Sequence, residues 1–215
     1  MKIQAVIFDL DGVLVHGEPV HMRAWQKTLA ALGLELSKKD FDQKYIGLGD
    51  RDFLPIFLKD CNTKLGHKEQ TRLIQKKQEL LLKEYQKKIP VFPGVQKLLE
   101  MAFQKFPLAL VTGSQSKEVD LILDKQQWRS LFTRIVTHND VKKGKPDPEG
   151  FLKAFPKIPS QKILVIEDSP RGIEAANRAG MTCIAIATSY AADQLKKAKW
   201  IVQNHQELTA FIESL

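Results

Sequence analysis

At 215 residues, 43% of them hydrophobic and 27% charged, the chain suits one large domain or a core with a smaller insert and excludes wholesale disorder. Its two cysteines, Cys61 and Cys183, stand far apart in no metal-ligand spacing, which argues against a disulfide framework and against a zinc site. The formal net charge of +8 is scattered and largely unaccompanied by aromatics, unlike the clustered basic and aromatic surface of a nucleic-acid binder.

Residues 15–88 hold 15 Lys or Arg against 10 Asp or Glu. Most of these positions read as solvated surface, with attraction of a small anionic substrate as the functional alternative. No apolar run approaches the roughly 18 residues that a membrane span requires, and the first strand-like run starts almost at Met1. The expectation is a cytoplasmic monomer that engages neither nucleic acid nor membrane.

In chain order, Ala5-Val6-Ile7-Phe8 is an apolar run rich in strand formers, as in a parallel-sheet strand buried on both faces. It stops at Asp9, and a second carboxylate, Asp11, follows beside Gly12. From residue 18 to 88 strand-like runs vanish and helical spacing takes over. Pro19 suits a first turn, Ala24, Trp25, Thr28, Leu29 and Leu32 form one face, and Gly33 suits the stop. Ser37 and Asp40 suit the start of a second helix toward Ile46. Gly47 to Asp52 reads as a flexible joint before a third helix from about Phe53 to Cys61, and a longer one is predicted over Lys68 to Lys88.

From Pro93 onward helices alternate with strands. Pro93 and Gly94 open a helix with Val95, Leu98, Leu99 and Ala102 on one face. Strands are predicted at Leu108 to Val111, Ile135 to Thr137, Ile163 to Ile166, Cys183 to Ala187 and Trp200 to Val202. This order predicts an α/β fold: a Rossmann-like, doubly wound parallel sheet formed by residues 1–17 and 89–215, with residues 18–88 as an inserted all-helical domain.

The chemistry-bearing residues fall at strand ends, where open parallel sheets place their ligands. Asp9 and Asp11 end the first strand, Thr112-Gly113-Ser114 the second and Glu167-Asp168-Ser169 the fourth, while Lys145-Pro146 lies in the loop after the third. A hydroxyl, free backbone amides and a lysine are what a phosphate group needs. Several carboxylates grouped nearby are what Mg²⁺ needs, because that hard cation favours oxygen ligands.

These four segments resemble the four motifs of the haloacid dehalogenase superfamily of phosphohydrolases, and the resemblance extends over essentially the full chain. The helical insert resembles the cap of the β-phosphoglucomutase and phosphoglycolate phosphatase branch. Supporting details are Glu18-Pro19-Val20-His21, Gly47 to Asp52, Val91-Phe92-Pro93-Gly94 and Asp168 to Gly172. The resemblance implies that Asp9 is a nucleophile forming an aspartyl-phosphate and that Asp11 is the general acid and base. It implies Mg²⁺ held by Asp9, the Asp11 backbone carbonyl and Asp168, with Glu167 a direct or neighbouring partner. Thr112, Gly113 and Lys145 are then the phosphoryl-binding groups. It offers His21, Gly47, Arg51, Lys76 and Lys77 as substrate contacts from the insert.

The resemblance also implies that dehalogenation is set aside, because dehalogenases of this fold lack the second carboxylate that stands here as Asp11, halide leaving without a proton. The expected activity is therefore hydrolysis of a small phosphorylated metabolite such as a sugar phosphate. A phosphomutase and a non-catalytic phospho-ligand-binding protein are the alternatives. One departure stands out: the family commonly has Asp followed by Ser or Thr where this chain has His16-Gly17.

Overall fold

The computed structural model describes residues 2–215. Strand β1 (Ala5–Phe8) is followed by helices α1 (Glu18–Ala30), α2 (Lys38–Asp40), α3 (Asp50–Asp60) and α4 (His67–Lys87). The chain continues through α5 (Val95–Lys105), β2 (Leu108–Val111), α6 (Ser116–Gln126), β3 (Phe132–Val136), α7 (Glu149–Ala154), β4 (Ile163–Glu167), α8 (Pro170–Arg178), β5 (Thr182–Ile186), β6 (Trp200–Val202) and α9 (His205–Glu213). Two compact units result: residues 2–16 together with Pro90–Leu215, and the helical segment Gly17–Ile89.

The first unit is built on a six-stranded sheet in the order β3-β2-β1-β4-β5-β6, every neighbouring pair parallel. It is the Rossmann-like α/β architecture that alternating strands and helices predict. β1 lies at the point where the strand order reverses, between β2 and β4, and all four of its residues are buried. An unbroken apolar strand is what that central place demands, since neither face meets water. Beyond β1, the Asp9 amide continues the ladder with a bond to the Ile166 carbonyl at 3.0 Å, so the first carboxylate leaves the sheet level with the end of β4.

β3 begins three residues earlier than its apolar run suggests. It is an edge strand whose Thr133 and Arg134 are exposed, and the polar residues dilute the signal. The two connections between the units leave the sheet side by side. Val15 and Val91 form an antiparallel bridge, with His16 N donating to Pro90 O at 2.7 Å and Phe92 N to Leu14 O at 3.2 Å.

The helical unit has a core of its own, in which Trp25, Leu29, Phe41, Tyr45, Phe53 and Phe57 are buried together. Ser37 caps α2, its hydroxyl accepting from Asp40 N at 3.0 Å, and a π-helical turn over Phe41–Tyr45 carries the chain on. α3 starts at Asp50, earlier than the apolar pattern indicates. Asp50 and Asp52 in its first turn favour the positive end of the helix dipole, which leaves only Gly47–Gly49 as the joint. Leu32 is 43% exposed, against its placement on the buried face. The helix ends at Ala30, and Gly33, at φ +68°, turns the chain away.

Candidate active site

Four strand ends supply the site in the first unit. Asp9 and Asp11 follow β1, Thr112 follows β2, Asp168 follows Glu167 at the end of β4, and Lys145 comes from the loop between β3 and α7. Lys145 is the hub. Its Nζ lies 2.5 Å from Asp9 Oδ1 and 2.5 Å from Glu167 Oε1, and it also donates to the Val111 carbonyl at 3.2 Å. The loop is steadied from α8, where the Arg171 guanidinium donates to the Lys145 carbonyl at 2.5 Å and Arg178 to the Pro146 carbonyl at 3.3 Å.

Glu167 divides its two oxygens. Oε1 takes Lys145, while Oε2 accepts from the amides of Asp168 and Ser169 at 2.9 and 3.0 Å and from the Ser169 hydroxyl at 2.9 Å. Those amides belong to the start of α8, where an anion is favoured. Gly172 makes this docking possible: a Cβ there would stand 1.8 Å from Glu167 Oε1. Ser169 caps the same helix, its hydroxyl accepting from Gly172 N at 3.1 Å.

Asp168 is placed by a second glycine. Gly12 adopts φ +78°, and a Cβ on it would fall 1.7 Å from Asp168 Oδ2, so the Asp168 carboxylate lies directly against the turn that follows Asp11. The Gly12 carbonyl accepts from Thr188 Oγ1 at 2.5 Å. Ser114 donates through its hydroxyl to Asp11 Oδ2 at 2.7 Å, a contact that the motif reading does not assign. The Thr112 hydroxyl accepts from Ser114 N at 3.0 Å, while Gly113 is exposed. Thr112, Gly113 and Lys145 line one groove, whose walls include Val111, His138 and Phe151.

Two carboxylates compete for the Lys145 ammonium. Burial pushes the Asp9 carboxyl up to about 8, with the Glu167 carboxylate adding to the rise and Lys145 opposing it. Burial also works against the Lys145 ammonium, but Asp9 and Glu167 outweigh it and hold the amine above its ordinary range. Asp9, Glu167 and Asp168 are all buried, and two of them, Asp9 and Glu167, share one ammonium. Such an all-oxygen donor set fits a hard divalent cation, whose charge would favour the ionised form of Asp9.

The insert residues behave differently from one another. Lys77 is fully buried at 0% exposure, unlike a lysine on a solvated helix face. Its Nζ contacts Asp50 Oδ1 at 2.6 Å and His21 Nδ1 at 2.8 Å, and Trp25 Nε1 donates to the same Asp50 oxygen at 3.2 Å. Burial alone would raise the Asp50 carboxyl, but Lys77 and His21 hold it below its ordinary value. A buried lysine requires such a partner. Asp50 is absent from the sequence-based site, because its role depends on a lysine 27 positions away. Arg51 and Gly47 are exposed, the Gly47 amide donating to Glu18 Oε1 at 3.1 Å. Lys76 points into solvent beside Glu79 at 3.9 Å. Thus His21 and Lys77 meet, while Gly47, Arg51 and Lys76 lie outside their network.

Among the described residues no helix is long and apolar enough to cross a membrane. Residues 6–186 match the family described as haloacid dehalogenase-like hydrolase. A phosphorylated carbohydrates phosphatase from Thermotoga maritima is 31% identical over 182 residues, which cover 83% of this chain and 82% of that protein. (DL)-glycerol-3-phosphatase 2 of Arabidopsis thaliana is 30% identical over 200 residues, covering 86% and 80%. β-Phosphoglucomutase from Clostridium difficile shares the fold, with a TM-score of 0.85 at 24% identity over 99% of this chain and 98% of that one.

The chain belongs to the haloacid dehalogenase-like hydrolases. It is a phosphoric monoester hydrolase of that family.

Proposed function

We propose that the chain hydrolyses a sugar or polyol monophosphate through an aspartyl-phosphate on Asp9, with Mg²⁺ as cofactor. The observation that carries this reading is Lys145 Nζ at 2.5 Å from both Asp9 and Glu167: a nucleophilic carboxylate and a phosphate-binding cation at the carboxyl ends of the central strands. Asp9 attacks phosphorus, a P–O bond forms to its carboxylate, and the bond to the ester oxygen breaks. Asp11, steadied by Ser114, gives that oxygen a proton. It then takes one from the water that attacks the aspartyl-phosphate, releasing inorganic phosphate and restoring Asp9. Lys145, the Thr112 hydroxyl and the Gly113 amide hold the phosphoryl oxygens, over which the charge is spread.

Asp9, the Asp11 carbonyl and Asp168, with Glu167 beside them, would hold Mg²⁺, which when bound neutralises charge between Asp9 and the phosphoryl group. The all-oxygen donor set supports that choice. The substrate class follows the two relatives named above, which are phosphatases of phosphorylated carbohydrates and of glycerol 3-phosphate. The helical unit is read as the cap that selects among substrates, with Arg51 the exposed side chain best suited to a ligand.

A panel of sugar phosphates, glycerol 3-phosphate, phosphoglycolate and nucleotides, assayed for inorganic phosphate with and without Mg²⁺, tests the proposal. Release from polyol or sugar esters that stops in EDTA is expected. An isomeric sugar phosphate as product, or full activity in excess EDTA, would overturn it.

A further inference from the structure

Three aromatic rings stand in a row where the two connections leave the sheet. Phe92, on the returning connection, stacks on His205 with centroids 4.7 Å apart and 29° between the planes. His16, on the outgoing connection, meets Phe92 edge-on at 5.4 Å and 64°. His205 is the first residue of α9, almost the whole chain away from the turn it touches. Its Nε2 lies 2.7 Å from the Val13 carbonyl. A carbonyl can only accept, so the proton sits on Nε2. Burial lowers the proton affinity of this imidazole although the Val13 bond opposes the shift.

Val13 lies two residues beyond Asp11, inside a turn closed by Gly12 N donating to Val15 O at 2.8 Å and Leu14 N to Leu10 O at 2.8 Å. Two successive carbonyls of that turn are therefore gripped by side chains from after β5: Gly12 O by Thr188 and Val13 O by His205. The stack ties the same His205 ring to the returning connection. His16, where the family resemblance breaks, supplies the third ring.

We propose that His205 is a positioning residue for Asp11, fixing the turn that carries this carboxylate through the Val13 carbonyl and the stack on Phe92. The proposal rests on the reading of Asp11 as the general acid and base. A group that must meet the leaving oxygen within hydrogen-bond reach depends on such support, because small misplacements are costly to the chemical step.

His205→Phe keeps a ring against Phe92 and removes the donor; His205→Gln keeps a donor and removes the ring; His205→Ala removes both. With p-nitrophenyl phosphate and Mg²⁺, His205→Phe is expected to lower kcat about tenfold while KM stays within about twofold, the pattern of an interaction needed in the transition state. His205→Gln should retain more of kcat than His205→Ala. Amide hydrogen exchange at Gly12 and Leu14 should quicken in His205→Phe while β2 and β4 stay protected. Wild-type imidazole nitrogen spectra should show Nε2 protonated at neutral pH.

The exchange and imidazole measurements do not require turnover. If no ester is hydrolysed, the functional reading fails, and these measurements still decide whether His205 holds the turn. Unchanged exchange at Gly12 and Leu14, kcat within twofold of wild type in His205→Phe, or a proton on Nδ1 would overturn the proposal. If His205→Phe does not fold, equal kcat in His205→Gln and His205→Ala would do so.

Discussion

Lys77 in the helical unit and Lys145 in the core are both withdrawn from water, and each donates to a carboxylate at about the same distance, 2.6 Å to Asp50 and 2.5 Å to Asp9. Their surroundings differ. Lys77 faces the Asp50 carboxylate, which also accepts from an indole N–H, and meets the His21 ring. Lys145 faces Asp9 and Glu167 together, beside a groove open to solvent. A pair in a closed interior organises its neighbours. A lysine shared by two carboxylates beside a groove leaves oxygen donors for an incoming cation to meet, and keeps the ammonium in reach of an anionic ligand.

The sharpest way to break this contrast is to remove one member of each set. Asp9→Asn is expected to cut turnover by about 10³-fold or more, since it removes the nucleophile, while leaving the circular dichroism spectrum and melting temperature near wild type. Residual activity within tenfold of wild type would contradict the assignment. Lys77→Ala should act the other way, lowering stability in urea unfolding by about 3 kcal/mol, because Asp50 would stay buried after losing its ammonium. Replacing both by apolar residues, Lys77→Met with Asp50→Leu, should recover most of that loss. A Lys77→Ala protein as stable as wild type would show that the pair does not hold the helices.

A smaller effect sharpens the view of the core as offering oxygen donors to a cation. Asp168→Ala should raise the Mg²⁺ concentration for half-maximal activity about 10–100-fold; an unchanged requirement would remove Asp168 from the metal set. Smallest of all, Arg51→Ala should alter kcat/KM by a few-fold, about two to five, and unequally among phosphate esters, since its contacts would be remote from the reacting centre. Turnover of acetyl phosphate should stay near wild type. Equal losses on every substrate, acetyl phosphate included, would mean that Arg51 supports the fold and does not select the substrate.

Much of the core was legible because its signals are local. Ala5–Phe8 announces a central strand by being apolar on both faces, and Asp9, Thr112 and Glu167 are conspicuous where such runs stop. Edge strand β3 was less legible, because half-exposed positions do not need apolar residues. What the sequence hid depends on distant partners. Nothing near Lys77 foretells that it is paired with Asp50, and its helical context matches that of exposed Lys76 next to it. Ser114 reads as part of a motif, but only the fold brings it against Asp11. His205 carries no local pattern at all; its meaning lies in a carbonyl 192 positions earlier.

The antiparallel bridge between Val15 and Val91, with its flanking bonds at His16 and Phe92, also has a thermodynamic meaning. To the sheet, everything from Gly17 to Ile89 is a single excursion whose two ends are already fastened together. The entropy of closing a loop grows only logarithmically with its length, by about 0.6 kcal/mol for each doubling. With the ends clasped in this way, the length and content of the excursion bear little on the cost of assembling β1 beside β2. The helical segment can be lengthened, shortened or exchanged while the parallel sheet folds around the same pair of connecting strands. A chain in which a short turn joins His16 directly to Pro90 should still form the six-stranded core.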